Sequence, residues 1–285
     1  MSTVKTPCYN LLKPSKRSIP LLVDAPHSGG VLPDDFDFIC DLADLRQSDE
    51  FYVDRFGAYA VSSGGTFLKA NISRAYIDLN RPISDLHQAL CDQPIPWPLS
   101  RSKRVMYGIG LIRHLVRPFE PVYGRQLSLA EIEQRIQEYY DPYYTILGQE
   151  LHDLRDAHGR VLHIDLHSMP NIGVDGLRMP DIVLGDHDGH SCGRIYRDML
   201  KNFFESHGLR VAINHPYKGV ELTRRFAKPR QGIHCLQLEI NKALFMDEQS
   251  LAPHDGIDDV EKLFKALWKH IAEMFDTLSV PQAAE

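Results

Sequence analysis

Two segments of the chain share one pattern, an apolar run that leads to a histidine and then a serine. The first run, residues 19–25, leads to His27, and the second, residues 161–166, leads to His167. Short apolar runs with β-branched residues are typical of buried strands. Because ligand crevices form at the carboxyl ends of strands in α/β sheets, the pattern predicts two imidazoles that converge on one site.

Strands and helices alternate along the rest of the chain. The apolar spacing predicts strands at residues 66–70, 71–82, 181–185, 210–214 and 233–241, and helices at residues 48–61, 128–158, 191–207 and 256–278. The second helical region is expected to break at Pro142. Residues 84–102, which are rich in proline, and residues 224–230 are expected to be loops, and the first is a candidate lid or pocket wall. The alternation predicts one α/β domain, residues 1–285, with a mixed or largely parallel sheet.

The composition excludes several classes of function. The chain has 285 residues, 43% of them hydrophobic and 25% charged, with a net charge of -6. This balance gives no basic surface for nucleic acid or for anionic membranes, and no apolar run reaches the roughly 20 residues that span a bilayer. Five scattered cysteines indicate reduced thiols, so we expect a cytoplasmic protein with a small-molecule substrate. The sequence leaves the oligomeric state open.

The two strand-end histidines are candidate metal ligands. A catalytic zinc site uses about three protein ligands, mostly imidazole and carboxylate, and His27 and His167 supply two. Glu50 is the third candidate because it falls in the first turn of the helix predicted to begin at Ser48, and Asp49 is the alternative. A single histidine at a strand end is usually only a polar loop residue. The His-Glu-x-x-His spacing of the common zinc proteases is absent.

Four more residues have candidate roles beside these ligands. Glu239 lies within an apolar strand, where a carboxylate is costly unless it has a partner or a task, so it is either a general base or part of a buried ion pair. Asp165 lies two residues before His167 and can orient that histidine. Two sets of residues are candidates to bind a substrate carboxylate: Arg81 together with Asn80, and Arg74. The alternative for these arginines is a structural ion pair.

Several blocks of the sequence together resemble the N-formylglutamate amidohydrolase family. They are Pro26-His27-Ser28-Gly29, Val53-Asp54-Arg55, Asp78-Leu79-Asn80-Arg81, Asp165-Leu166-His167-Ser168-Met169, Asn214-His215-Pro216-Tyr217-Lys218-Gly219 and Gln237-Leu238-Glu239-Ile240-Asn241. They follow in the family's order and cover nearly all of the chain. The resemblance implies a three-layer α/β/α fold with a mixed, largely parallel sheet, similar to that of the zinc carboxypeptidases and aspartoacylase-like deacylases.

The resemblance also implies a site and a reaction. It makes His27, Glu50 and His167 the ligands of one Zn²⁺ ion per chain, Glu239 the base, and Asn80 and Arg81 the clamp for a substrate carboxylate. The relatives often place their glutamate three residues after the first histidine, where this chain has Gly30, so Asp49 remains an alternative to Glu50. The implied reaction is hydrolysis of N-formyl-L-glutamate to formate and L-glutamate, in histidine degradation.

Two other functions remain as alternatives. One is a zinc-dependent deacylase or carboxypeptidase-like hydrolase that acts on another N-acyl amino acid. The other is a catalytically silent binding protein that keeps the same fold. The second is disfavoured because the chain has His27, His167, Glu239 and Arg81 together, and a silent relative has no chemical need for all four.

Overall fold

A seven-stranded mixed sheet forms the centre of the molecule. The computed structural model describes residues 6–279. Within this range the strands are β1 Tyr9–Leu12, β2 Leu21–Ala25, β3 Thr66–Ala70, β4 Leu115–Arg117, β5 Glu120–Pro121, β6 Val161–Met169, β7 Ile182–Gly185, β8 Val211–Ile213 and β9 Ile233–Asn241. The order in the sheet is β1-β3-β2-β6-β9-β7-β8, while β4 and β5 form a separate ribbon.

The middle of the sheet is parallel and its edges are partly antiparallel. Strands β3, β2, β6 and β9 run in the same direction, whereas β1 is antiparallel to β3, and β7 is antiparallel to β9. The carboxyl ends of β2, β6 and β9 therefore lie side by side along one edge of the sheet, the edge at which these central strands end. The register pairs His167 with Glu239, and Asp24 with Asp165, which brings together polar residues far apart in sequence.

Helices cover both faces of the sheet. They are α1 Leu42–Arg46, α2 Val53–Ala58, α3 Lys103–Met106, α4 Leu129–Arg135, α5 Asp141–His158, α6 Arg194–Ser206, α7 Glu221–Phe226 and α8 Gly256–Ser279. Buried residues of α4 and α5 pack in the core on one face, and those of α2, α6 and α8 pack in the core on the other. Along β6, Leu162, Ile164 and Leu166 belong to the second core, because successive side chains of a strand point to opposite faces. The predicted three-layer fold is confirmed.

Local capping chemistry explains the helical region before β6. Ser128 and Glu131 form the reciprocal hydrogen bonds of a capping box at the start of α4. A short π-helical segment, Ile136–Tyr140, joins α4 to α5, and Pro142 is the second residue of α5. The helical region therefore continues through Pro142, and the break expected there is not observed. Gly159, with φ of 73°, ends α5.

The helix predicted to begin at Ser48 begins later. Ser48 lies just after α1, and its hydroxyl donates to the Leu45 carbonyl (2.8 Å) instead of capping a helix. Helix α2 starts at Val53, after Tyr52. Glu50 therefore lies in a turn, not in the first turn of a helix, and its backbone N–H donates to the His27 carbonyl (3.0 Å).

Three other predicted elements differ from the structure, and the prediction lacked one strand of the sheet. Residues 71–82 form turns and not a strand, because their backbone groups bond to loops and to each other; one bridge joins Ile72 to Val31. Strand β1 was not predicted. Helix α7 covers the start of the expected loop at residues 224–230, and α6 begins at Arg194 after Gly193, not at Ser191. None of the helices within residues 6–279 is both long enough and apolar enough to cross a bilayer.

Candidate metal centre and active site

His27, Glu50 and His167 meet at the carboxyl edge of the sheet. His27 follows β2, His167 lies near the end of β6, and the turn with Glu50 is held against the His27 backbone. The Nδ1 atom of His27 lies 2.9 Å from Glu50 Oε1, and the Nδ1 atom of His167 lies 3.0 Å from Glu50 Oε2. All three side chains are buried, and one donor atom from each lies within 4.8 Å of the others.

A second carboxylate stands behind each histidine. Asp78 Oδ1 lies 2.6 Å from His27 Nε2, and Asp165 Oδ1 lies 2.7 Å from His167 Nε2. A carboxylate on the far nitrogen fixes the orientation of an imidazole and raises its basicity as a ligand. Asp165 was expected in this position, whereas Asp78 had no role in the sequence interpretation, although it lies in the same polar block as Arg81.

The charges of the three residues favour an ionised carboxylate between two imidazoles. Burial raises the pKa of Glu50, but His167 and His27 outweigh it and hold that pKa well below the usual value. Burial lowers the pKa of His167, but Asp165 and Glu50 raise it well above the usual value. Two imidazole nitrogens and a carboxylate oxygen are the donors that Zn²⁺ takes in catalytic sites, so the residues fit the implied ion.

Asp49 points away from this group and is already bonded. Its Oδ1 accepts a hydrogen bond from the Ser73 hydroxyl (2.6 Å), and its Oδ2 accepts one from Arg46 (3.1 Å). Burial raises the pKa of Asp49. Of the two adjacent acids, only Glu50 lies between the histidines.

Glu239 faces the histidines from the neighbouring strand β9. Gln237 donates a hydrogen bond to its Oε1 atom (2.6 Å). Burial raises the pKa of Glu239 to about 7, because it outweighs the lowering by His167; Glu50 adds a smaller increase. No lysine or arginine nitrogen of residues 6–279 lies within 4.0 Å of its carboxylate, so the alternative of a close buried ion pair does not describe this glutamate.

A cavity of about 560 Å³ opens in front of these side chains. Its walls contain the three clustered residues, the base candidate and several cations: His27, Glu50, His167, Glu239, Arg74, Arg81, Arg104, Arg113 and Lys218. The cationic side chains of this lining outnumber the two carboxylates. Such a cavity attracts an anionic substrate.

The three predicted substrate-binding residues have different environments. Arg74 lines the cavity, but its guanidinium donates to Asp78 and to Glu50. Arg81 lines the cavity, and its Nε atom is buried without a hydrogen-bond partner among the described residues. Within residues 6–279 Arg81 donates one hydrogen bond, from NH1 to the Asn80 carbonyl (3.0 Å), and its Nε lies 3.8 Å from Asp78 Oδ2.

Asn80, a predicted carboxylate-binding residue, lies behind His167 and away from the cavity. Asn80 is fully buried and does not line the cavity. Its Nδ2 donates to Asp165 (2.8 Å) and lies 2.9 Å from His167 Nε2, while its Oδ1 accepts from the Leu222 N–H (2.9 Å). All its polar atoms are therefore used behind His167, where Asn80 supports the pair of Asp165 and His167.

The sequence interpretation gave no role to two arginines of the cavity, Arg104 and Arg113. Arg104 lies in α3 and Arg113 in the turn-rich segment after it, which has two glycines, and no local pattern marks either arginine for a role. The expected pocket wall at residues 84–102 is not observed, because none of those residues lines the cavity. Residues 104–113 take that position instead.

Comparisons with known proteins agree with this geometry. A profile of the family described as N-formylglutamate amidohydrolase matches residues 19–246. Two curated relatives are named N-formylglutamate deformylase: one from Pseudomonas aeruginosa is 28% identical and covers 90% of this chain and 92% of its own, and one from Pseudomonas putida is 29% identical and covers 81% and 83%. A crystal structure of N-formylglutamate amidohydrolase from Ralstonia eutropha matches with a TM-score of 0.92, 33% identity, and coverage of 95% of this chain and 99% of that one.

Proposed function

Since the chain belongs to the N-formylglutamate amidohydrolase family and is therefore a hydrolase of amide bonds, we propose that it hydrolyses N-formyl-L-glutamate to formate and L-glutamate. The proposal includes one Zn²⁺ ion per chain and a place at the end of a histidine-degradation route. The names of the two Pseudomonas relatives support the substrate. The observation that carries the proposal is the cluster of His27, Glu50 and His167 at the floor of a cationic cavity.

His27, Glu50 and His167 are the residues that would hold the ion. When bound, the ion supplies a Lewis acid for the formyl carbonyl and lowers the pKa of a water molecule toward about 7. Asp78 and Asp165 keep the two imidazoles turned toward Glu50, because each carboxylate holds the opposite ring nitrogen. Asn80 supports Asp165 in the same way, through a hydrogen bond of 2.8 Å.

Glu239 is the general base in this proposal. It takes a proton from the attacking water and returns it to the nitrogen of the leaving amino acid. A pKa of about 7 suits both steps, because an acid–base catalyst works best when its pKa is near the operating pH. The hydrogen bond from Gln237 fixes one carboxylate oxygen of the base.

Arg81 is the residue we assign to the α-carboxylate of the substrate. It lines the cavity, and its Nε atom makes no hydrogen bond within residues 6–279; its nearest carboxylate oxygen, Asp78 Oδ2, is 3.8 Å away. Arginine binds carboxylates in a bidentate geometry that also fixes their orientation. Arg74, in contrast, has its nitrogens on Asp78 and Glu50, so it stabilises the acids of the site.

Product analysis with two acyl groups and one peptide tests the proposal. Purified protein with one equivalent of Zn²⁺ is incubated with N-formyl-L-glutamate, N-acetyl-L-glutamate or an N-blocked dipeptide that ends in glutamate. We expect formate from the first at a kcat/KM that exceeds the other two by at least tenfold. Preferred release of acetate would favour the alternative deacylase, and preferred release of the terminal amino acid would favour a carboxypeptidase-like hydrolase. Either result would replace the proposed function.

A further inference from the structure

We propose that Arg113 binds the side-chain carboxylate of the substrate and so makes the enzyme selective for acidic N-acyl amino acids. This inference rests on the proposed function and extends it, because hydrolysis of a formyl amide does not itself require an acidic side chain. N-formyl-L-glutamate has two carboxylates, and Arg81 accounts for one of them. A second cation must account for the other.

Among the partly buried arginines of the cavity, Arg113 has the fewest polar partners of its own. Its guanidinium makes one hydrogen bond, from NH1 to the Leu115 carbonyl at 3.4 Å, which is a long distance for such a bond. Within residues 6–279 no carboxylate oxygen lies within 4.0 Å of it, whereas Arg74 contacts two carboxylates. Arg113 therefore presents most of its donors to the cavity.

The other cations of the cavity fit this role less well. Arg104 and Lys218 are exposed, and Lys218 is paired with Asp188 (2.8 Å). Exposed and screened cations contribute little to binding. Arg81 and Arg113 are both partly buried, so a carboxylate that enters between them gains more from each contact.

Burial makes an unpaired arginine costly, which argues for a task. Burial, with contributions from the cations Arg74 and Arg81, lowers the pKa of Arg113 to about 10. The side chain nevertheless stays protonated at neutral pH, so the fold retains a positive charge without a counter-ion. A dicarboxylate substrate supplies that counter-ion, because a buried charge is stable only when it is paired and hydrogen-bonded.

The backbone fixes Arg113 relative to Arg81. The Leu111 N–H donates to the Asp85 carbonyl (2.6 Å), and the Asp78 N–H donates to the Leu111 carbonyl (2.7 Å). A side chain at Gly110 would have its Cβ only 2.0 Å from the Asp85 carbonyl oxygen, so the approach of the two segments requires glycine. The turn that carries Arg113 is thus joined rigidly to the segment that carries the predicted α-carboxylate residue.

Substitution of Arg113 should change substrate selectivity, not activity in general. We compare R113M with wild type on N-formyl-L-glutamate and on N-formyl-L-glutamine, which has nearly the same shape but a neutral side chain. The kcat/KM for the glutamate substrate should fall about 10- to 100-fold, the range for loss of a charged hydrogen bond. The value for the glutamine substrate should change less than threefold, and R113K should recover part of the loss because it keeps the charge.

Two further variants separate this role from a structural one. R81M should reduce kcat/KM for both substrates alike, because both contain the α-carboxylate. R194M removes an exposed arginine at the start of α6 and should change neither value. An equal loss on both substrates in R113M would overturn the proposal, since it would mean that Arg113 supports the fold or binds the part common to both substrates.

Binding of the product gives a readout that does not depend on turnover. Calorimetry should show that the wild type binds L-glutamate more tightly than L-glutamine. R113M should bind the two amino acids equally, and R113K should keep part of the preference. If the wild type releases no formate but shows this preference, and R113M loses it, the proposed reaction fails and the assignment of Arg113 stands. Formate release by the wild type with no change of preference in either Arg113 variant would leave the reaction intact and overturn the assignment.

Discussion

Strands β2 and β6 contribute to two buried histidine–carboxylate clusters, one in the interior of the sheet and one at its edge. In the interior, His163 Nε2 lies 2.7 Å from Asp24 Oδ1, and the Tyr143 hydroxyl of α5 donates to Asp24 Oδ2 (2.9 Å). At the edge, His27 and His167 lie on either side of Glu50. Both clusters pair buried imidazoles with carboxylates, at similar distances.

The clusters differ in what their polar atoms face. The side chains of Asp24 and His163 have no exposed surface, and each oxygen of Asp24 has a protein partner. Burial lowers the pKa of His163, but Asp24 outweighs it and raises that pKa well above the usual value, while burial raises the pKa of Asp24 itself. The two groups therefore form a closed, hydrogen-bonded pair. At the edge, two imidazoles direct Nδ1 atoms at one carboxylate beside a cavity. Position at the strand end, not residue type, distinguishes the candidate site from structural polarity.

Among the changes at the edge, the substitution E239Q should lower turnover the most. Glutamine keeps the size of the side chain but cannot accept the proton from water, so kcat should fall about 10²- to 10⁴-fold. The metal content should equal that of the wild type, because Glu239 is not among the clustered ligands. The control E205Q, on the exposed face of α6, should retain full activity. Unchanged turnover in E239Q would remove Glu239 as the base.

Comparison of E50A with D49A tests which acid belongs to the edge cluster. E50A should bind at least 100-fold less zinc at equal free metal, because it removes one of three ligands. D49A should keep its zinc and lose stability, since Arg46 and Ser73 lose their acceptor. Atomic absorption and thermal unfolding measure the two effects. Zinc retained in E50A and lost in D49A would transfer the ligand role to Asp49.

Breaking the interior cluster should affect stability and leave the metal in place. D24A leaves His163 and Tyr143 without their partner and should cost about 3–5 kcal/mol of unfolding free energy, the usual cost of breaking a buried pair. Y143F removes only one hydrogen bond to a charged group and should cost about 1.5–3 kcal/mol. Urea unfolding measures both. A D24A protein with wild-type stability would contradict the structural role of the pair.

A change of pH should alter turnover less than the substitutions at the edge do. Because the base must be ionised and its pKa is about 7, kcat should rise as the pH increases through 7 and level off above 8. At lower pH it should fall about tenfold per unit. Bound zinc is measured at each pH, since metal affinity itself depends on pH. A flat profile between pH 5.5 and 8 with constant metal would contradict this function of Glu239.

The sequence predicted the sheet and the meeting of the histidines well, because both depend on local patterns. An apolar run followed by a histidine describes the end of β2 and of β6, and an acid in an apolar strand describes Glu239. Glu50 was selected from the expected start of a helix, yet it reaches the histidines from a turn held by the His27 carbonyl. That position depends on a contact between segments, which no local pattern encodes.

The residues whose placement differs from the expectation have partners that are distant in sequence. Asn80 lies beside Arg81 in the chain, but its amide is used by Asp165 and by the backbone of Leu222. Arg113 reaches the cavity because a glycine turn packs on the Asp85 carbonyl. In both cases the tertiary contacts determine which polar groups remain available for a substrate.

The most direct test of the account is formate release measured together with bound metal on one preparation. The protein is dialysed against a chelator, assayed with N-formyl-L-glutamate, and assayed again during stepwise addition of Zn²⁺. We expect no release without metal and a linear return of activity that ends at one ion per chain. Full activity of the metal-free protein would contradict the assignment of His27, Glu50 and His167 as ligands of a catalytic ion.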